Sequence, residues 1–236
     1  MIGNMCGRYV VATPFQQIAI DFEALTELEF APDFNVAPSK PVPVLWQRPR
    51  DEGERRLDVA RWGLIPSWAK DPSVGVRAFN ARIETAAEKP TFRSAFVKRR
   101  CVLPADGYYE WRQAPGRGPK QPMYIHAADG AQLAFAGLYE RWTDAEGSEL
   151  WSASILTGPA LGPLAEIHDR MPLTVSRELI EPWLDERVRE PDQVRSLLDL
   201  AHAPDWLARP VGPAVGNVRN NGPELVQEIS DQDTLF

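Results

Sequence analysis

Residues 100–112 are RCVLPADGYYEWR. An apolar run at 101–103 and an aromatic run at 108–112 are separated by Pro104 and by Asp106-Gly107, residue types that interrupt regular structure and form turns. Short apolar or aromatic runs bounded in this way are typical of strands. We therefore predict one strand over residues 101–103 and another over residues 108–112.

Short runs of this kind recur along the chain. Further strands are predicted over residues 6–12, 42–46, 57–63, 123–126, 133–139 and 150–156. Helices are predicted over residues 91–98, 176–184 and 191–200, and a fourth begins at Thr13 with a capping box that Gln16 completes. Many short strands and few helices predict an α+β domain built on a curved, largely antiparallel sheet.

We expect a single domain over residues 6–230, because the polar loops at 47–56 and 113–121 are too short to link two domains. Residues 1–5 are expected to be an N-terminal extension that is absent from the mature protein or removed from it. Residues 231–236 are expected to form a C-terminal tail.

The composition indicates a cytoplasmic globular protein. The apolar share of 44% and the charged share of 25% are usual for that class, and no apolar run reaches the roughly 18 residues of a membrane span. No basic segment followed by a long apolar one opens the chain, so no secretory signal is expected. Cys6 and Cys101 are expected to be reduced thiols, and the spacing of cysteines and histidines predicts no metal site.

Charge is unevenly distributed along the chain. The net charge is −7, but residues 77–120 hold ten Lys or Arg against four Asp or Glu, a local balance of +6. A basic segment on an acidic body is typical of a phosphate-binding face. A solvated basic surface without a partner is the alternative interpretation.

Cys6 directly follows Met5. If translation starts at Met5, removal of that methionine gives Cys6 a free α-amine beside its thiol. The amine of such a 1,2-aminothiol attacks an aldehyde to form a Schiff base, and the thiol then closes a five-membered thiazolidine ring. A buried strand cysteine is the alternative.

Polar and aromatic side chains alternate in two further segments. Trp62 and Trp68 enclose a turn and are candidates for stacking on bases, with core packing as the alternative. Asn80 and Arg82 follow within the basic segment and are candidates to orient a substrate and to hold a phosphate.

Two side chains are candidates for proton transfer. Glu110 lies in the aromatic strand, where burial would raise the pKa of its carboxyl and make it a general acid or base; an outward, solvated glutamate is the alternative. His168 precedes the turn-forming Pro172 and is a candidate to donate and accept protons, as imidazole side chains do in many active sites.

Taken together, these segments resemble the SRAP family, the SOS-response-associated peptidases. The matching segments follow the family's order: CGRY at 6–9, FNVAP at 34–38, WGLIPSW at 62–68, NARIE at 80–84, RCVLPADGYYEW at 100–111, LT at 156–157, HDRMP at 168–172 and RNNGPEL at 219–225. The ordered set makes the resemblance specific, whereas any one motif alone is weak.

The resemblance implies a β-rich α+β fold with a barrel-like core and a basic groove, and it implies no metal and no cofactor. It implies a protein of the DNA damage response that shields abasic sites in single-stranded DNA, with Cys6 cross-linked to the ring-opened sugar. Asn80 would position the cysteine and the sugar, and Glu110 and His168 would be the acid/base pair. The DNA channel would be lined by Arg8, Pro38, Trp62, Trp68, Arg82, Trp111 and Thr157. The family's name further implies an autopeptidase, a hydrolase that exposes Cys6, and we expect a lyase activity as well.

In this sequence the cysteine is residue 6, whereas the family pattern has it at residue 2. Either translation starts at Met5 or the first five residues are removed, and we favour the start at Met5 because it stands directly before the motif. If residues 1–5 persist, Cys6 has no free amine and no thiazolidine forms.

Two other functions fit the same residues. A thiol peptidase acting on protein chains needs only Cys6, Glu110 and His168. A non-catalytic module that binds single-stranded DNA or RNA needs only the basic segment and the tryptophans. For each function we expect a cytoplasmic monomer without a membrane partner, associated with the nucleoid when it is bound to DNA.

Overall fold

The computed structural model describes residues 7–48, 53–113, 118–201 and 203–230. Within these ranges the strands are β1 (Tyr9–Val11), β2 (Asp33–Val36), β3 (Pro41–Trp46), β4 (Arg56–Trp62), β5 (Asn80–Arg82), β6 (Arg100–Ala105), β7 (Gly107–Arg112), β8 (Gln121–Ala127), β9 (Leu133–Thr143), β10 (Glu149–Pro159), β11 (Arg170–Pro172) and β12 (Trp206–Pro210). The α-helices are α1 (Phe15–Asp21), α2 (Ile83–Ala86), α3 (Arg93–Lys98), α4 (Ile180–Leu184) and α5 (Pro191–Leu200). Short 3-10 helices cover Pro72–Arg77, Gly162–Glu166, Arg177–Leu179, Pro213–Gly216 and Pro223–Val226.

Five strands close into a barrel. Their order is β10-β4-β3-β6-β9, and β9 pairs back onto β10. The pairing of β4 with β10, which sets Arg61 opposite Ser152, is parallel, and the other four pairings of the ring are antiparallel. Closure pairs every strand of the ring on both sides, but the last residues of β10 extend beyond the ring and pair with β5 and β11 instead.

The second sheet has the order β12-β8-β7-β1-β2 and is antiparallel throughout. It packs on the barrel through aromatic side chains: Tyr9 meets Trp62 edge to face at 5.0 Å between ring centroids, and Phe135 at 6.0 Å. Tyr108 reaches the same Phe135 at 6.1 Å. The two sheets therefore share one hydrophobic core.

The predicted fold class is confirmed, and each predicted strand and helix has an observed counterpart. The segment predicted as one helix over 176–184 is the 3-10 turn Arg177–Leu179 followed by α4. Strands β2, β5, β11 and β12 were not predicted. No helix among the described residues has the length and apolar character needed to cross a membrane. The predicted extension, the predicted tail and parts of the two polar loops, at 49–52 and 114–117, lie outside the described residues.

The prediction that a capping box of Thr13 and Gln16 begins α1 is wrong. Pro14 takes the N-cap position, and no side chain caps the helix. Thr13 instead donates its hydroxyl to Asp106 Oδ1 at 2.5 Å, and the backbone N–H groups of Ala12 and Thr13 donate to Asp106 Oδ2. Gln16 donates to the carbonyl oxygen of Leu28. The turn before α1 is therefore anchored to the β6–β7 corner, and no capping box forms.

Candidate functional site

Glu110 is buried between the two sheets. Side chains alternate along a strand, so Glu110 shares a face of β7 with Tyr108, which packs against Phe135 in the core. Its partner on β8 is Met123, also a core residue, and Glu110 itself is 3% exposed. The carboxyl therefore points inward, and the interpretation of a solvated glutamate is wrong.

Strand β1 brings the first described residues beside Glu110. The pairing of β1 with β7 sets Tyr9 opposite Tyr108, and a backbone hydrogen bond of 3.0 Å between the next pair of residues continues this register. One residue further, Gly7 lies opposite Glu110. Cys6 precedes Gly7 in the sequence and lies outside the described residues.

Asn80 begins β5, a strand that pairs in parallel with the last part of β10 and sets Asn80 opposite Ile155. The residue before it, Phe79, accepts hydrogen bonds from the Trp62 indole N–H at 2.9 Å and from the backbone N–H of Ile155 at 3.0 Å. Alternation places Ala81 in the core and leaves Asn80 and Arg82 together on the other face. Arg82 is exposed on this face, as a phosphate contact requires.

His168 follows the 3-10 helix Gly162–Glu166 and precedes β11. Its backbone N–H donates to the carbonyl oxygen of Leu164 at 3.1 Å, and its side chain is 18% exposed. The ring atom Nδ1 lies 3.1 Å from the backbone nitrogen of Arg170 and 3.0 Å from Asp169 Oδ1. Nδ1 also lies 3.3 Å from the carbonyl oxygen of Arg170, so it either accepts a hydrogen bond from the Arg170 N–H or, where it carries a proton, donates to one of the two oxygens.

Strands β5 and β11 flank the same end of β10, one on each side. Residues 155–157 of β10 pair with β5, and residues 157–159 pair with β11. The elements that carry Asn80 and His168 are therefore both fixed to one strand of the barrel. Glu110 belongs to the other sheet, which meets this region through the contact of Tyr9 with Trp62.

Arg8 lies on the face of the second sheet opposite to Glu110. Its guanidinium donates to Asn35 Oδ1 at 3.1 Å and to the carbonyl oxygens of Val215 at 2.7 Å and Gly216 at 3.4 Å. Burial lowers the pKa of this guanidinium from its ordinary value. Arg8 thus attaches β1 to the C-terminal segment, a structural role that the sequence did not indicate.

The residues predicted to line a DNA channel differ in exposure. Trp68 is 65% exposed and presents its ring to solvent, whereas Pro38 and Trp111 are half-buried. Trp62 and Thr157 are completely buried. A direct contact of either buried side chain with DNA is inconsistent with this burial, so for Trp62 the alternative of core packing is correct.

The basic segment is not one continuous surface. Arg100 is 3% exposed and donates to the carbonyl oxygens of Phe96, Trp183 and Asp185, and burial lowers its pKa to about 10. Its neighbour Arg99 pairs with Glu140 at 2.6 Å. These two cations hold elements together, and phosphate contacts remain for the exposed ones such as Arg82.

The candidate side chains Asn80, Glu110 and His168 all lie among the described residues. No group of three or more His, Cys, Asp or Glu side chains among them is arranged to hold a metal ion. A buried carboxyl, a half-buried imidazole and an amide on a fixed strand are types of group that move protons and orient a polar substrate. A family model described as SOS response associated peptidase (SRAP) matches residues 5–218. The chain belongs to the SRAP family.

Relatives extend the SRAP match over nearly the whole chain. The abasic site processing protein YoqW of Bacillus subtilis is 40% identical over 226 residues, covering 94% of this chain and 99% of that protein. YedK of Escherichia coli, of the same description, is 33% identical and covers 95% and 100%. A crystal structure of a Bacteroides thetaiotaomicron protein superposes with a TM-score of 0.83 at 25% identity, covering 95% of this chain and 100% of that one.

Three polar residues inside the SRAP motifs were missed as parts of the site. Asn35 is completely buried and donates to carbonyl oxygens of the C-terminal motif. Glu84 and Arg170 pair with each other across β10. All three stand in the segments 34–38, 80–84 and 168–172, so their place in the motifs was visible, but their partners lie far away in the sequence.

Proposed function

We propose that this chain captures abasic sites in single-stranded DNA by a covalent bond through Cys6. Relatives at 32–40% identity bear the name abasic site processing protein. The observation that carries the proposal is the inward carboxyl of Glu110, 3% exposed and opposite Gly7. Cys6 directly precedes Gly7 in the sequence, and the proposal requires its amine and thiol to reach this carboxyl.

The proposed reaction is that of a 1,2-aminothiol with an aldehyde. The α-amine of Cys6 adds to the aldehyde of the ring-opened sugar, and loss of one water gives a Schiff base. The thiol then adds to the imine carbon, its proton passes to the nitrogen, and a thiazolidine ring results. Glu110 donates the proton with which the hydroxyl leaves as water, His168 assists opening of the sugar ring, and Asn80 orients the sugar.

Exposed groups supply the binding of DNA in this proposal. The exposed ring of Trp68 stacks on an unpaired base. Such stacking contributes about 1–3 kcal/mol to the binding free energy. Arg82 contacts a phosphate, and such contacts position a strand without reading its sequence. An unpaired base is needed for stacking, so single-stranded DNA is the preferred partner, and any sequence is accepted.

The proposal requires that residues 1–5 be absent from the active protein, since only then does Cys6 carry a free amine. The match to the family model begins at Met5, which supports translation from Met5 followed by removal of the methionine. Self-cleavage before Cys6, with its thiol as nucleophile and Glu110 as proton donor, is a second route to the same product.

Intact mass spectrometry tests the proposal. The purified protein is weighed alone and after incubation with a single-stranded oligonucleotide that carries one abasic site. We expect a protein that begins at Cys6 and that gains the mass of the oligonucleotide less one water, in a form stable to heating. The matched controls are an intact oligonucleotide and Cys6→Ser, which retains binding but forms no thiazolidine.

Other results would favour the competing functions. A protein that still begins at Met1, forms no adduct and cleaves unrelated peptides in a Cys6-dependent reaction would indicate a thiol peptidase. Binding of single-stranded DNA or RNA that no change at Cys6, Glu110 or His168 affects, without any covalent product, would indicate a non-catalytic module.

A further inference from the structure

Strand β1 is too short and too uniformly apolar to set its own alignment with β7. Its three residues, Tyr9, Val10 and Val11, are each at most 1% exposed, and it forms only two residue pairs with β7. A slip of one residue along a strand exchanges its side chains between the two faces. Here the slip would exchange one buried apolar side chain for another, so the hydrophobic pattern does not specify the register.

The pairing of β1 with β2 does not specify the register either. Tyr9 pairs with Val36 and Val11 pairs with Asp33, so a step of two residues along β1 corresponds to a step of three along β2. One extra residue of this kind interrupts the regular ladder. A contact outside the two ladders is therefore needed to fix the position of β1 along β7.

Asp106 supplies such a contact from the corner between β6 and β7. Its carboxylate accepts hydrogen bonds from the backbone N–H groups of Ala12 and Thr13, at 2.5 and 3.0 Å, and from the Thr13 hydroxyl at 2.5 Å. Its own N–H donates to the carbonyl oxygen of Val10 at 2.9 Å, and its carbonyl oxygen accepts from the Tyr124 hydroxyl at 2.9 Å. Asp106 is thus bonded to β1, to the two residues that follow β1 and to β8.

Glu110 lies towards the other end of the same strand pair. The register sets Tyr9 opposite Tyr108 and Gly7 opposite Glu110. Both are pairs without mutual hydrogen bonds, in which the Cα atoms of an antiparallel sheet are only about 4.5 Å apart. A slip of β1 by one residue would place a residue other than Gly7 opposite Glu110.

We propose that Asp106 is a positioning residue that fixes the register of β1 on β7 and thereby the approach of Cys6 to Glu110. This inference rests on the proposed function, in which Cys6 and Glu110 react with the sugar. Asp106 precedes Glu110 by four residues, and a strand rises about 3.3 Å per residue, so roughly 13 Å separates the two. Asp106 therefore acts through the strand and not on the reacting atoms.

The test compares Asp106→Asn with Asp58→Asn. Asp58 is the matched control, because its carboxylate is also partly buried and accepts hydrogen bonds from Trp46 and Arg48, but it lies on β4 of the barrel. Single-turnover cross-linking to an abasic oligonucleotide is measured at saturating protein, where affinity does not influence the rate. We expect Asp106→Asn to react about tenfold or more slowly, because small displacements of a reacting group have effects of this size. Asp58→Asn should react at the wild-type rate.

Two changes at Thr13 repeat the test with less disturbance of the fold. Thr13→Val removes one hydrogen bond to Asp106 at nearly constant volume, whereas Thr13→Ser keeps the hydroxyl. We expect the rate of Thr13→Val to lie between those of the wild type and Asp106→Asn, and Thr13→Ser to react like the wild type. Equal rates of the two Thr13 variants would count against the inference, and this pair decides if Asp106→Asn does not fold.

Nuclear Overhauser contacts between Hα protons report the register itself. Residues opposite each other without mutual hydrogen bonds lie closest, so we expect Hα contacts of Tyr9 with Tyr108 and of Gly7 with Glu110. They should be present in the wild type and in Asp58→Asn, and weakened or shifted by one residue in Asp106→Asn.

Unchanged Hα contacts in Asp106→Asn overturn the inference, as does a cross-linking rate equal to that of Asp58→Asn. This separates positioning from a general loss of stability, which would slow the reaction without moving β1. Absence of cross-linking in the wild type would instead overturn the proposed function, and the Hα contacts would still decide whether Asp106 sets the register.

Discussion

The indole N–H of Trp62 donates to the carbonyl oxygen of Phe79 at 2.9 Å, and Phe79 is the residue before Asn80. A tryptophan buried in the core thus sets the position of the strand that carries a candidate site residue. Because its ring is completely buried, Trp62 cannot stack on DNA bases. We expect it to affect the reaction with DNA only by fixing the backbone next to Asn80.

We therefore expect Trp62→Phe to slow cross-linking as well as to destabilise the fold, by about 2 kcal/mol or more, because a buried hydrogen bond and packing volume are lost. Trp46→Phe is the matched control, since Trp46 is also buried and donates its N–H to Asp58 at 2.8 Å, near the opposite end of β4 from Trp62. Urea denaturation and single-turnover cross-linking measure the two effects. Equal cross-linking rates in the two variants would show that the bond to Phe79 does not position Asn80.

Trp68→Ala should weaken DNA binding and leave the stability of the fold almost unchanged. Its ring is 65% exposed, so removal should weaken binding of single-stranded DNA by about 1–3 kcal/mol and change the free energy of unfolding by no more than about 0.5 kcal/mol. Fluorescence anisotropy with an intact oligonucleotide measures the affinity, and Trp68→Phe, which keeps an aromatic face, should retain most of it. Unaltered affinity of Trp68→Ala would remove this residue from the DNA-binding surface.

Asn35 should control the order of the C-terminal segment. Its Nδ2 lies 3.0–3.2 Å from the carbonyl oxygens of Val215, Asn217 and Asn220, and its Oδ1 accepts from Arg8. Asn35→Leu removes all four of these hydrogen bonds; Val215 and Asn217 keep other donors, but each polar group left unsatisfied costs about 1–3 kcal/mol. We expect faster hydrogen exchange over residues 213–226 and unchanged exchange in the barrel strands. Protection that is equal in both proteins would mean that other contacts hold the segment.

Asp106→Asn tests the corrected start of α1. Asp106 accepts three hydrogen bonds from Ala12 and Thr13, so loss of its charge and of one acceptor should destabilise the fold by about 1–3 kcal/mol. Gln16→Ala should have little effect, because Gln16 makes only an exposed contact with Leu28. Thermal unfolding measures the loss of stability in each variant. A larger loss in Gln16→Ala than in Asp106→Asn would support the capping box instead.

The stability contributed by Glu84 should depend on pH only in acid. Its folded-state pKa is lowered from the ordinary value of 4.5, chiefly by the hydrogen bonds from Arg170. A group with a lowered pKa contributes stability that is complete above its unfolded pKa and is lost as pH falls through the folded pKa. The difference in melting temperature between wild type and Glu84→Gln should thus be constant from pH 7 to pH 5 and shrink below 4.5. A difference that shrinks above pH 5 would contradict the lowered pKa.

The strands that could be predicted are those with continuous apolar or aromatic runs. β5 and β11 have three residues each and lie in polar motifs, so nothing in their own sequence indicates a strand. Their extended conformation depends on pairing with β10, which has 11 residues and offers an edge on either side. The positions of Asn80 and His168 are therefore set by a partner strand that their own motifs do not reveal.

Alternation alone could not decide the direction of Glu110, because both of its neighbours are aromatic. The decision comes from Met123, the partner across the strand pair, which faces the core. The turn between Trp62 and Trp68 poses a similar problem. Gly63 has a φ of 133°, and a Cβ there would lie 2.5 Å from the carbonyl oxygen of Gly75. The turn between a buried and an exposed tryptophan thus depends on a close approach of two glycines that lie 12 positions apart, which the motif alone does not reveal.

The bond from Arg8 to the carbonyl oxygen of Val215 joins residues 207 positions apart. A ribosome adding about 5–20 residues per second needs roughly 10–40 s to make the intervening chain. During that time the first strand has no C-terminal anchor, and a prematurely terminated product never acquires one. The end of the protein that is proposed to react with DNA is consequently fastened only when synthesis is nearly complete, so that incomplete chains lack a fixed reactive end.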